Sequence, residues 1–182
     1  MRALVFDTET TGLPLHPDAP LELQPRVIEF GGLLVDCATG DEVQSWSLII
    51  NPKQTLDPVI TKITGLTDAD LVDAPAFGDV WPVLREAFEA ADFVVAHNAP
   101  FDTSLIDFEL RRLGVSDFAW PMAVCTVQEV AESWGKRPKL IDLYQALTGQ
   151  EFAQKHRALD DVRHLARVCV ELGLFSTMEA LP

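Results

Sequence analysis

Short apolar blocks separated by turn residues run through the chain, and their period changes part way along. Ala3 to Phe6 is a compact apolar run. Val27 to Val35 is rich in β-formers, and Val43 to Ile50 returns after a turn between Asp36 and Glu42 that contains Thr39-Gly40-Asp41. These stretches predict three consecutive strands in an antiparallel meander. Gly31-Gly32 inside the second predicts a bulge or a close backbone approach. Pro14 to Pro25 holds four prolines and predicts an irregular surface loop.

From Asp57 onward the spacing becomes helical. Asp57-Pro58 opens a short helix that Gly65 stops, and Thr67 with Asp70 three residues on caps another turn. Phe77, Val80, Trp81, Leu84, Ala87 and Phe88 share one helical face, predicting a helix over 76–90, with Pro82 pulling its start toward Val80. Phe93 to Ala96 has the unbroken apolar character of a buried strand. Phe101 to Leu113 reads as a helix, Met122 to Thr126 as a strand, and Val127 to Trp134 as a helix. After a basic loop at Gly135 to Lys139, the Leu140, Leu143, Tyr144, Leu147 stripe gives another helix. The last helix runs from Arg157 to Leu172, with Leu159, Val162, Leu165, Ala166, Cys169 and Leu172 as its apolar stripe. Three strands followed by alternating strands and helices make an α/β pattern, a mixed central sheet of about five strands flanked by helices. No repeat or linker divides the chain, so one domain over residues 1–182 is expected.

Composition narrows the class. Hydrophobic residues at 48% suffice for a packed core. No apolar run approaches a membrane span and the N-terminus does not read as a signal peptide, so a cytoplasmic protein is expected. Cys37, Cys125 and Cys169 form no CxxC pair and read as reduced, mostly buried thiols. The net charge of −14 argues against general polyanion binding. Its distribution is uneven. Residues 1–110 hold five Lys or Arg against nineteen Asp or Glu, whereas 111–182 hold nine of each. The basic residues of the second part, Arg111-Arg112, Lys136-Arg137, Lys139, Lys155, Arg157, Arg163 and Arg167, leave room for a basic rim beside an acidic site, although most are read as solvated helix faces.

Asp7 and Glu9 sit two apart behind the first apolar run, so their carboxylates share a strand face. Adjacent carboxylates repel unless a cation separates them, which makes Asp-x-Glu before Thr10-Thr11-Gly12 a candidate divalent-metal site. Asp102 follows a buried strand at the start of a helix, where open α/β sheets place ligands, although acids also favour first turns for dipole reasons. Asp161 borders the apolar stripe of the last helix and requires a partner or an ion there. His156, just before that helix, can reach the same mouth and suits proton transfer near neutral pH. His16, His97 and His164 read as surface or structural histidines, and Tyr144 as core.

FDTETTG, then HNxPFD, then HxxxxD, in this order, resembles the DEDD exonuclease superfamily. Within it the chain is most similar to the His-containing branch, with the proofreading exonuclease subunits of bacterial replicative DNA polymerases as nearest relatives. The resemblance spans about residues 3 to 172 and includes the Thr61–Thr67 loop. The sister branch carries Tyr four residues before the last Asp, where this chain has Arg157. The resemblance implies a ribonuclease-H-like fold and 3′→5′ hydrolysis of DNA, or of RNA, that releases nucleoside 5′-monophosphates. It also implies two divalent cations, Mg²⁺ or Mn²⁺, on Asp7, Glu9, Asp102 and Asp161, with His156 as general base. Thr10, Leu13, Thr64, Asn98 and Phe101 would contact the terminal nucleotide. The partner would be the 3′ end of a single-stranded or frayed nucleic acid. The chain ends about ten residues after its last expected helix with no recognisable docking segment, so a free-standing nuclease and a polymerase-associated one are both in view.

Two other readings compete. A haloacid-dehalogenase-type phosphatase would use Asp-x-Asp after a buried strand, but Glu9 stands where its second Asp belongs. A non-catalytic nucleic-acid-binding domain on the same fold need not keep all five site residues.

Overall fold

The computed structural model describes residues 1–152 and 156–180. Its centre is a five-stranded mixed sheet in the order β3-β2-β1-β4-β5. The strands are β1 (Arg2–Thr10), β2 (Val27–Asp36), β3 (Glu42–Ile49), β4 (Phe93–Ala96) and β5 (Met122–Cys125). β1, β2 and β3 pair antiparallel, as the β-rich runs and the turn between them predicted, while β4 pairs in parallel with β1 and β5 in parallel with β4.

The helices are α1 (Pro58–Thr64), α2 (Asp68–Leu71), α3 (Phe77–Glu89), α4 (Ala99–Leu113), α5 (Thr126–Glu129), α6 (Ala131–Trp134), α7 (Leu140–Thr148), α8 (Ala158–Glu171) and α9 (Leu174–Glu179). Asp57 caps α1 through Val59 N–H, and Gly65 ends it in the left-handed region. α2 opens on the Thr67–Asp70 pair. α3 starts at Phe77, not near Val80, because the Asp79 carboxylate accepts from Ala76 N–H and closes the first turn. Pro82 lies inside it, costing one helical bond. The expected 127–134 helix is two short ones that break at Val130. α9, which buries Leu174, Phe175 and Met178, lies beyond the last helix expected from the sequence.

Strand alternation splits the interior into two cores. Leu4, Phe6, Phe30 and Leu34 face α3 and α4, around an aromatic cluster in which Phe88 meets Phe6 edge-on at 5.3 Å. Ala3, Val5, Leu33 and Val35 face α7, α8 and α9. Each fully buried Phe or Leu contributes about 1.5–3 kcal/mol. Cys37, Cys125 and Cys169 are free and buried, as expected. Among the described residues no helix is long and apolar enough to cross a membrane.

The proline-rich loop is fastened down. Gln24 accepts from Leu15 N–H and donates to His16 O, and the Arg112 guanidinium donates to Leu21 O and Gln24 O. Buried Glu109 balances Arg112 and Arg26 at 3.1 Å each.

Candidate active site

β4 pairs with Ala3, Leu4 and Val5 and stops at Ala96, so β1 runs on past it. Asp7 and Glu9 lie in that extension, inside the strand rather than in the turn after it. The odd-numbered face of β1 that buries Ala3 and Val5 therefore presents two carboxylates to α8. Thr8 points the other way, toward α4.

α4 begins two residues earlier than its apolar pattern indicated, at Ala99, with Asn98 as N-cap in the left-handed region at φ 74°. That brings Asp102 to the unpaired edge of β1. Its Oδ1 accepts from Thr8 N–H at 2.9 Å and from Thr8 Oγ1 at 2.7 Å. A backbone donor that lost its strand partner is satisfied by a carboxylate instead.

α8 brings the remaining groups. Its first turn lies on β2 where Gly31 has no side chain: a Cβ there would come within 2.3 Å of the Ala158 backbone. Of the two alternatives for Gly31-Gly32, close approach is the one realised at Gly31, and the strand irregularities fall at Glu9/Thr10 and Leu34/Val35. Asp161 is buried and Asp160 exposed, as the helical spacing predicted, although Ala158 and Val168 are buried in place of Leu159. One ligand atom each from Glu9, His156 and Asp161 lies within 4.8 Å of the others.

A cleft of about 580 Å³ gathers these groups. Asp7, Glu9, Asp102, His156 and Asp161 all line it, with Leu13, Asn98 and Phe101. Thr10 and Thr64 do not. Both are buried, with Thr10 Oγ1 donating to Gly12 O and Thr64 Oγ1 to Ile60 O. Arg137 and Lys139 form part of the rim, and Arg137 donates to Asn98 Oδ1 at 2.6 Å. Lys155 lies outside the described residues.

His97 also borders the cleft, in a structural role. Its Nδ1 lies 2.9 Å from Thr126 Oγ1 and its Nε2 3.0 Å from Pro138 O. A carbonyl only accepts, so Nε2 carries the proton and Nδ1 accepts from Thr126. Burial lowers the pKa of this ring and keeps it neutral. His164 stacks on Phe152 at 3.8 Å, away from the site.

Two residues beside the site were missed in the sequence. Thr8 holds Asp102, and Glu29 is fully buried opposite Glu9 in the β1–β2 register. Glu29 was visible as a lone acid in the run Val27 to Val35, a pattern that requires a partner.

The electrostatics are those of an acid cluster in need of positive charge. Burial, then repulsion from Asp161 and Glu29, raises Glu9 to about 8. Burial raises Asp102 to about 7 against the lowering effect of its Thr8 bonds. Asp7 is pushed well up by burial and by Asp102 and Glu9. An oxygen-rich donor set whose carboxylates resist ionisation together fits hard divalent cations.

The chain is similar to known proteins. The RNase T family model, described as exonuclease, matches residues 4–169. A DNA polymerase III PolC-type protein of Staphylococcus aureus is 31% identical over 173 residues, 93% of this chain and 11% of its own length. One from Caldanaerobacter subterraneus subsp. tengcongensis is 28% identical over 174 residues, with the same coverage of 93% and 11%. The chain thus spans about a tenth of these relatives. Two solved structures share the fold. The nuclease domain of 3′hExo, a DEDDh family member bound to rAMP, superposes with a TM-score of 0.74 at 17% identity, covering 94% of this chain and 90% of its own. Exonuclease X in complex with 5′ overhanging duplex DNA gives 0.69 at 23% identity, covering 96% and 93%.

Proposed function

Because this chain belongs to the RNase T family of exonucleases, as a 3′→5′ exonuclease of the DEDD type, we propose that it removes single nucleotides from DNA 3′ ends, releasing nucleoside 5′-monophosphates. Family membership sets aside the phosphatase reading. The observation that carries the mechanism is the convergence of Asp7, Glu9, Asp102, His156 and Asp161 on one cleft beyond the end of β4.

The family uses divalent metal ions, and the four carboxylates would hold two of them, Mg²⁺ or Mn²⁺. When bound, such a pair lowers the pKa of a water and offsets charge on the leaving oxygen of an in-line displacement. A ring nitrogen of His156 accepts the proton of the attacking water. Thr8 holds the Asp102 carboxylate in place. Leu13 and Phe101 offer apolar contact to the terminal nucleoside, and Asn98, fixed by Arg137, a polar one. Arg137 and Lys139 supply local positive charge for the adjacent phosphates in a protein of net charge −14. A site of this size takes a single-stranded or frayed end. It would serve a free nuclease and a polymerase-associated one equally, because its contacts stop at the terminal nucleotides.

The test is a panel of 5′-labelled DNA and RNA oligomers, single-stranded and paired, with Mg²⁺, with Mn²⁺ and with chelator. Single-stranded DNA should shorten stepwise from its 3′ end only when a cation is present. Asp7→Ala should abolish the reaction. His156→Ala should slow it by at least about 100-fold with cation binding retained. Full activity of Asp7→Ala would overturn the assignment, and no cation-dependent hydrolysis of any oligomer would favour a binding domain.

A further inference from the structure

Glu29 and Arg157 form an ion pair next to the five site residues, with the carboxylate buried and the guanidinium half-exposed, and none of the chemistry above uses it. Glu29 is 0% exposed. Arg157 Nε donates to its Oε1 at 3.2 Å and Oε2 at 3.1 Å, and Arg157 Nη2 donates to Oε1 at 3.0 Å. We propose that Arg157, anchored on Glu29, is a positioning residue that sets where His156 stands against Glu9 and Asp161. The inference rests on the reading of His156 as the proton acceptor.

The argument is one of register. Glu9 faces Glu29, and Asp7 faces Gly31, across the β1–β2 ladder. Residues directly opposite in an antiparallel pair share a face, so all four positions look toward α8. Two consecutive residues before and at the start of α8 are then pinned to two successive same-face positions of β2. Arg157 is forked onto Glu29, and the Ala158 backbone sits over the bare Cα of Gly31. His156 is the residue immediately ahead of this pinned pair. Its backbone stands at φ 48°, in the left-handed region, which is strained for a non-glycine residue and persists only where the surroundings impose it. The fork on Glu29 holds the residue next to it in sequence.

The alternative is an ordinary stabilising pair, and it fares poorly on physical grounds. An acid placed opposite Glu9 repels it, and Arg157 only partly offsets that. Two apolar side chains would fill the space at least as favourably. A planar two-point fork is better suited to fixing orientation than to adding stability. The rest of the guanidinium is exposed, with Asp70 and Asp160 as its other charged neighbours.

Arg157→Gln, Arg157→Lys, Glu29→Gln, His156→Ala and the double variant Arg157→Gln/His156→Ala test this. kcat and KM would be measured on single-stranded DNA at saturating Mn²⁺. Imidazole proton spectra would be recorded without metal, and with four histidines in the chain His156→Ala identifies the His156 signal. Arg157→Gln should lower kcat by about 10–100-fold, as loss of an orienting partner does, with KM little changed. It should shift the His156 signal and leave those of His16, His97 and His164 in place. Arg157→Lys should recover part of kcat, and Glu29→Gln should act in the same direction. The double variant should be no slower than His156→Ala, since the arginine acts through that ring. Unchanged kcat with an unmoved His156 signal, a rise in KM alone, or additive losses would each overturn the proposal. If Arg157→Gln does not fold, Arg157→Lys and Glu29→Gln decide on the same two readouts. Parent-like turnover of His156→Ala would sink the general-base role instead, and the spectra would still decide whether Arg157 places the ring.

Discussion

Thr8 shows how much of the site depends on one hydroxyl. It lies on the opposite face of β1 from Asp7 and Glu9, and it binds Asp102 through both its N–H and its Oγ1. The two bonds favour the ionised form and oppose the burial that raises Asp102 to about 7. Thr8→Val keeps the shape and the N–H but removes the 2.7 Å bond. The carboxylate should then ionise less readily and bind cations more weakly. The expected result is a higher Mn²⁺ concentration for half-maximal activity, a kcat lower by about 10–100-fold, and a stability loss of about 1–3 kcal/mol. Thr8→Ser should restore most of the cation response. Equal Mn²⁺ dependence of Thr8→Val and the parent would show that the backbone N–H alone holds Asp102.

At the scale of elements, the contact between β2 and α8 decides whether the site assembles. Gly31 opposes Asp7, and its missing side chain lets the Ala158 backbone sit directly over the strand. Gly31→Ala puts a Cβ about 2.3 Å from Ala158 C, and the obstacle is main chain, which cannot rotate away. Overpacking of this kind typically costs about 1–3 kcal/mol. Chemical denaturation should show that loss, and activity should fall further than the unfolded fraction explains, since α8 carries Asp161. Gly32→Ala is the control: its nearest contacts are side-chain atoms of Phe30 and Leu4. The antiparallel meander and most helix ends could be read in advance because β-rich runs, turn residues, capping acids and stop glycines are local signals. The α/β mixed sheet followed from them, whereas Asp7, Glu9, Asp102, His156 and Asp161 each had an ordinary reading alone and were gathered into one site by their resemblance to the DEDD superfamily. What escaped reading was non-local. Pro82 suggested a later start for α3, but Asp79 had already closed the first turn. The short segment Leu174–Glu179 carries a stripe of only one turn, too short to read alone, and Leu174, Phe175 and Met178 have a core to enter. The Glu29–Arg157 pair joins positions 128 residues apart, and only the fold reveals it.

For the molecule as a whole, the imbalance of charge ties stability to pH and to cations. Nineteen of the acids lie in residues 1–110, among them Asp7, Glu9 and Asp102. Burial places Asp102 at about 7 and, joined by repulsion from Asp161 and Glu29, Glu9 at about 8, whereas the unfolded chain titrates such groups near 4. Between about pH 4 and 8 the cation-free folded protein therefore holds more protons than the unfolded chain, and its stability falls as pH rises. The contribution is fully present below the unfolded values and is lost as pH passes the raised ones. A divalent cation that binds only the folded form reverses the trend, by about 2.7 kcal/mol at a hundred times its Kd. Cation-free Tm should drop between about pH 5.5 and 8.5, and added Mg²⁺ should raise Tm more at the upper pH. General repulsion in a protein of charge −14 would also lower Tm with pH, so a variant separates the two causes. Asp7→Asn removes one charge from the cluster and hardly alters the total. It should flatten the cation-free pH dependence and shrink the Mg²⁺ response together. A slope identical to the parent's would assign the effect to the surface as a whole and not to the cleft.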